Sequence, residues 1–98
     1  MNLKVKPYKL LDTIKGEDYI YEGNKIYNAN NTSLAIEMYN MAIKGNNVNP
    51  VVYFNRGCSY MAEGLFEKAK DDFSEYLKHN QNEEDAHKLL QQCQALIR

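Results

Sequence analysis

Apolar residues recur at helical spacing along most of this chain, and clusters of asparagine and glycine interrupt them at regular points. Tyr19, Ile20, Gly23, Ile26 and Tyr27 predict a first helix, which the Asn28–Asn31 cluster breaks. Thr32 or Ser33 is placed to cap a second helix, whose apolar face is Leu34, Ala35, Met38, Tyr39, Ala42 and Ile43. Gly45-Asn46-Asn47 ends it, with Gly45 expected at a positive φ. Pro50 opens a third helix through Ala62, Gly64 makes a tight turn, and Phe66–Lys78 returns as a fourth. After Asn80-Gln81-Asn82, a final helix from Glu83 to near Ile97 carries Ala86, Leu89, Leu90, Cys93, Leu96 and Ile97 on one face. Met1–Lys15 reads either as a short helix after Pro7 or as an extended segment, from the alternation of Leu3 and Val5 with Lys4 and Lys6.

The pattern also repeats in register. A shift of 34 residues lays Tyr19 on Tyr53, Gly23 on Gly57, Ala35 on Ala69, Tyr39 on Phe73, Ile43 on Leu77 and Lys44 on Lys78. Ile20/Phe54, Ile26/Tyr60 and Glu37/Asp71 agree in kind. A fixed period of this length marks a stack of helix hairpins, each too small to bury its apolar face alone. The second unit, Tyr53-x-x-Arg56-Gly57-x-x-Tyr60 followed by Ala69-x-x-x-Phe73, resembles a tetratricopeptide repeat. The first, with Tyr19, Glu22, Gly23, Ile26, Ala35 and Tyr39 at those places, is a looser copy.

The resemblance implies an all-α fold, a right-handed superhelix of antiparallel hairpins with about five main helices. Its units would be repeats at 16–49 and 50–83 and a capping helix at 84–98, preceded by an N-terminal segment at 1–15. The glycines and the small alanines are expected to let paired helices approach closely, while Tyr19, Tyr39, Tyr53 and Phe73 fill the wider spaces between hairpins. Arg56, standing where leucine is common in the family, should pair with Asp72 or Glu22.

Composition narrows the function. Lys+Arg 12 against Asp+Glu 13 gives a net charge of −1, which does not suit a protein that neutralises nucleic-acid phosphates. No apolar run reaches the roughly 20 residues of a membrane span, and Met1–Lys15 is charged throughout, unlike a signal peptide. The two cysteines form no CxxC motif, so free thiols in a reducing, cytoplasmic setting are expected. His79 and His87 lack a third ligand, so no metal is expected and no cofactor is implied. No nucleophile–base arrangement or phosphate-binding glycine loop appears, which speaks against an enzyme.

In the tetratricopeptide family the first helix of each pair lines a concave surface. Carried over by position, the groove would present Ile20, Asn24, Tyr27, Val51, Phe54, Asn55, Cys58, Met61 and Lys88, together with Glu17, Asn28, Ala62, Asp85 and Gln92. Asn24 and Asn55 stand where family members that grip a terminal carboxylate keep asparagines. The basic places of that clamp hold Ile20, Asp85 and Leu89 here, which leaves the clamp incomplete. The expected function is a protein-interaction adaptor, monomeric, holding a peptide or partner helix in the groove. Self-assembly, with Leu3–Leu11 covering a neighbour's groove, is the alternative reading.

Overall fold

The computed structural model describes residues 16–45 and 49–97, so the expected segment at 1–15 lies outside the described residues. Every regular element among them is an α-helix: α1 Gly16–Asn28, α2 Thr32–Lys44, α3 Val51–Ala62, α4 Phe66–His79 and α5 Glu84–Leu96. Each helix packs on the next, and α1 also touches α3, which gives an array of 40 × 28 × 18 Å.

The 34-residue period extends to the backbone. The turn after α1 places Asn30 at φ 67, and the turn after α3 places Gly64 at φ 78. Asn31 N–H donates to Ile26 O at 3.1 Å and Leu65 N–H to Tyr60 O at 2.9 Å, the same helix-ending closure one repeat apart. A Cβ at Gly64 would meet nothing within 4 Å, so its positive φ alone favours glycine there. Asparagine is the other residue that tolerates this region, which explains Asn30.

Two local expectations need correction. Asn31, rather than Thr32 or Ser33, caps α2: its Oδ1 accepts from Leu34 N–H at 3.2 Å. Thr32 instead donates through Oγ1 to Glu63 Oε2, tying the first hairpin's turn to the second's. Gly45 sits at φ −73 and ψ 138, because the chain leaves α2 extended rather than through a left-handed residue.

The packing of the glycines also differs from expectation. An added Cβ at Gly23 would lie 2.6 Å from Tyr39 Cε1, and one at Gly57 would lie 2.8 Å from Phe73 Cε1. Each glycine therefore makes room for the aromatic ring of its own hairpin. Tyr39 and Phe73 fill the hairpin interior rather than a space between hairpins, and Ala35 and Ala69 are fully buried beside them. The first core joins Ile20, Ala35, Tyr39, Ala42 and Val52, and the second joins Ala69, Phe73 and Cys93. Gly57→Ala should thus destabilise the domain, although alanine is favoured by about 1 kcal/mol in a helix. Overpacking against a buried ring costs about 1–3 kcal/mol, so the net effect is a melting temperature lower by several degrees. A melting temperature equal to or above the parent's would refute this packing.

Arg56 locks the array. Its Nε donates to Asp72 Oδ2 and its Nη2 to Asp72 Oδ1, both at 2.8 Å, which settles the choice of partner in favour of Asp72. Nη1 donates to Asn40 Oδ1 at 2.8 Å, so one guanidinium joins α3 to α4 and to α2 of the preceding hairpin. The rings of Tyr53 and Tyr60 lie 5.7 and 5.5 Å from its central carbon. Glu22 stands 4.0 Å from Lys25 on its own helix.

Candidate peptide-binding groove

Helices α1 and α3 run beside one another on one side of the array, and the second-hairpin ring of Phe54 stands at their seam. Between them and Tyr39 of α2 lies a cavity of about 300 Å³ lined by Asn24, Tyr27, Asn28, Tyr39, Phe54, Asn55 and Cys58. The sequence brings these side chains together through one periodicity: Asn24, Tyr27 and Asn28 share a face of α1, and Phe54, Asn55 and Cys58 share a face of α3.

Five of the nine residues proposed from sequence meet here: Asn24, Tyr27, Phe54, Asn55 and Cys58. Ile20 does not. It is 6% exposed and belongs to the first core, because α3 and α2 close over that turn of α1. Val51 packs against the same core, and Met61 packs against the second. Lys88, on the exposed side of α5, contributes nothing to the cavity wall, and neither do Ala62, Asp85 or Gln92. The side chain of Glu17 lies outside the described residues. Phe54 serves two roles, since its ring also sits 5.7 Å edge-on from Phe73 and 5.3 Å from Tyr76.

A polar cluster forms the floor. Asn55 Nδ2 donates to Asn24 Oδ1 at 2.8 Å, and the buried Tyr39 hydroxyl donates to the same oxygen at 2.6 Å. Burial raises the Tyr39 phenol well above its ordinary range, so it remains a donor at any physiological pH. Tyr27 is raised too, by burial first and then by Cys58. Sequence reasoning placed Tyr39 in the core and missed this role. The available signal was the hydroxyl at a position where the second repeat has Phe73.

The thiol in this cavity, Cys58, is pushed up to about 11 by burial and then by Cys93, the opposite of what a nucleophilic cysteine requires. No group of three or more His, Cys, Asp or Glu among the described residues could hold a metal ion. A larger hollow of about 510 Å³ lies along α2, lined by Glu37, Met38, Asn40, Met41, Ile43, Lys44 and Arg56. Arg56 has already committed three of its five donors to Asp72 and Asn40, so this hollow offers a ligand little directed bonding.

Stacked helix hairpins with a shallow groove between their first helices define an α-helical repeat protein. Residues 50–83 match the model of the tetratricopeptide repeat. A TPR repeat-containing protein of Methanocaldococcus jannaschii is 37% identical over 60 residues, which cover 61% of this chain and 11% of that relative. The chain therefore spans only a small part of that relative's length. Both findings support a tetratricopeptide-repeat assignment, carried most directly by residues 50–83. Repeats of this family are generally protein–protein interaction modules and generally non-enzymatic scaffolds. No described helix is long and apolar enough to cross a membrane.

Proposed function

We propose that this chain is an interaction adaptor that holds an extended peptide segment in the α1–α3 groove. The observation that carries the reading is the convergence of Asn24, Tyr27, Phe54, Asn55 and Cys58 on one cavity, with a hydrogen-bonding floor and apolar walls. Large apolar rings grouped with a few placed polar groups are the usual composition of a recognition site. A cavity of about 300 Å³ favours a single extended strand with one anchoring side chain. A partner helix, about 10 Å across, would need a wider trough. The incomplete carboxylate clamp also points away from terminal-carboxylate peptides, since the cavity wall contains no cation. The two free thiols suit a reducing compartment such as the cytoplasm.

Selection of the immobilised protein against a random heptapeptide library tests this. Enriched peptides should bind one to one and compete with each other for a single site. Failure to enrich any peptide, or enriched peptides that bind the Phe54→Ala variant as well as the parent, would contradict the assignment.

A further inference from the structure

The outward face of α2 carries two charges that its own hairpin leaves unused. Glu37, Met41 and Lys44 are all exposed, and their spacing of four and then three residues sets them in a row on one face. Met41, 38% exposed, stands between the charges and beside the hollow of about 510 Å³ that Met38 and Ile43 also line. The 34-residue period supplies a comparison in α4, where Asp71, Glu75 and Lys78 take the same three places. There Lys78 Nζ donates to Glu75 Oε1 at 3.1 Å, and His79 Nε2 lies 3.8 Å from Glu75 Oε2. With methionine in place of that glutamate, α2 cannot satisfy its lysine in the same way. Among the described residues, neither the Glu37 nor the Lys44 side chain has a hydrogen-bond or ion-pair partner.

We infer that this face of α2 is a self-pairing surface, on which a second copy of the chain lays its own α2 antiparallel about a two-fold axis near Met41. The row is its own complement. Reversal brings Glu37 of each copy to Lys44 of the other, Met38 towards Ile43, and Asn40 towards Met41, so every α2 residue that lines the hollow maps onto another of them. A parallel arrangement would instead set Glu37 against Glu37 and Lys44 against Lys44, which like-charge repulsion disfavours. The occupant is a second copy because the required complement, opposite charges flanking an apolar centre in reverse order, is this face itself. Met41 of each copy fills the other's hollow, a role suited to an unbranched thioether that needs no directed bond. The 13 residues of α2 span only about 20 Å, less than a stable interface needs, so the dimer is weak, with a Kd of about 10–100 μM. The hollow shares no lining residue with the α1–α3 groove, so pairing and peptide binding are separate events.

Sedimentation velocity of the full chain, from about 5 μM to about 1 mM at low salt, tests the inference. The protein should pass from monomer to dimer and no further, because a two-fold contact closes on itself. Glu37→Lys alone and Lys44→Glu alone each turn both opposite-charge contacts into like-charge ones, and each should weaken the dimer by about tenfold or more. Combining the two substitutions swaps the charges and should restore the parent dissociation constant to within about threefold. Met41→Glu should leave a monomer throughout. All four positions of change lie on the exposed face, so circular dichroism should show every variant folded with the parent's helix content. A monomer at every concentration overturns the inference, and so does assembly beyond the dimer. A dimer unaffected by Glu37→Lys also overturns it, since the contact then lies elsewhere, as in the reading where Leu3–Leu11 covers a neighbour's groove. Failure of the double substitution to restore pairing overturns the antiparallel arrangement.

Discussion

Arg56→Met should cost about 3–5 kcal/mol of folding stability, most of what a domain of this size has to lose. The guanidinium supplies both hydrogen bonds to Asp72, whose side chain is 5% exposed, and the bond to Asn40. Removing it leaves a buried carboxylate without a donor, and that penalty exceeds the worth of the intact pair. Burial already holds the Asp72 carboxyl above its ordinary value of 3.8, with Arg56 pulling it back. In the variant that restraint is gone, so the carboxyl titrates higher still. A carboxyl raised in the folded state is penalised above its folded pKa and relieved as pH falls through it. The stability gap between variant and parent should therefore narrow on acidification from neutrality toward pH about 4. Chemical denaturation at several pH values measures this, and Asp72→Asn in the same background should cost less than its additive share. A gap that is small, or that widens on acidification, would contradict the role assigned to the pair.

Phe54→Ala carries the second large effect, and it acts on binding and folding together. As the central aromatic wall of the groove, Phe54 should contribute about 2 kcal/mol or more to peptide affinity, near thirtyfold. Position alone suggested a side chain devoted to the groove, whose loss would leave stability almost unchanged. Its contacts with Phe73 and Tyr76 revise that expectation. A half-buried ring with two aromatic neighbours should cost about 2 kcal/mol of folding stability, below the 3–5 of a core Phe→Ala deletion. The variant should therefore melt roughly 10 °C lower and still be folded at 10–15 °C, where the loss of binding can be read cleanly. Thermal denaturation with calorimetric titration at low temperature checks both. Unchanged affinity in the folded variant would remove Phe54 from the site.

The period in the sequence was enough to expect five helices, because each hairpin must present the same apolar face to its neighbour and so repeats its spacing. The same regularity carried Asn24, Tyr27, Phe54, Asn55 and Cys58 to one cavity. It failed at Ile20, whose place in the first repeat matches Phe54 in the second. A branched aliphatic side chain at that turn fits beneath the neighbouring helices, whereas the longer planar ring of Phe54 reaches the seam. Glycine spacing correctly marked a close approach but not the partner. Residue size alone does not reveal that an aromatic ring, 16 positions away at Tyr39 and again at Phe73, occupies the space the glycine leaves. The hydroxyl of Tyr39 was hidden for a similar reason, since a tyrosine in a core pattern reads as apolar until its oxygen is found on Asn24.

The central claim is that the α1–α3 groove holds the ligand, and backbone and side-chain chemical-shift mapping with a library-selected heptapeptide tests it most directly. The account predicts perturbations centred on Asn24, Tyr27, Phe54, Asn55 and Cys58, saturating together with a single dissociation constant. Perturbations centred instead on Glu37, Met41 and Lys44 of the α2 hollow, or on the exposed face of α5, would contradict it.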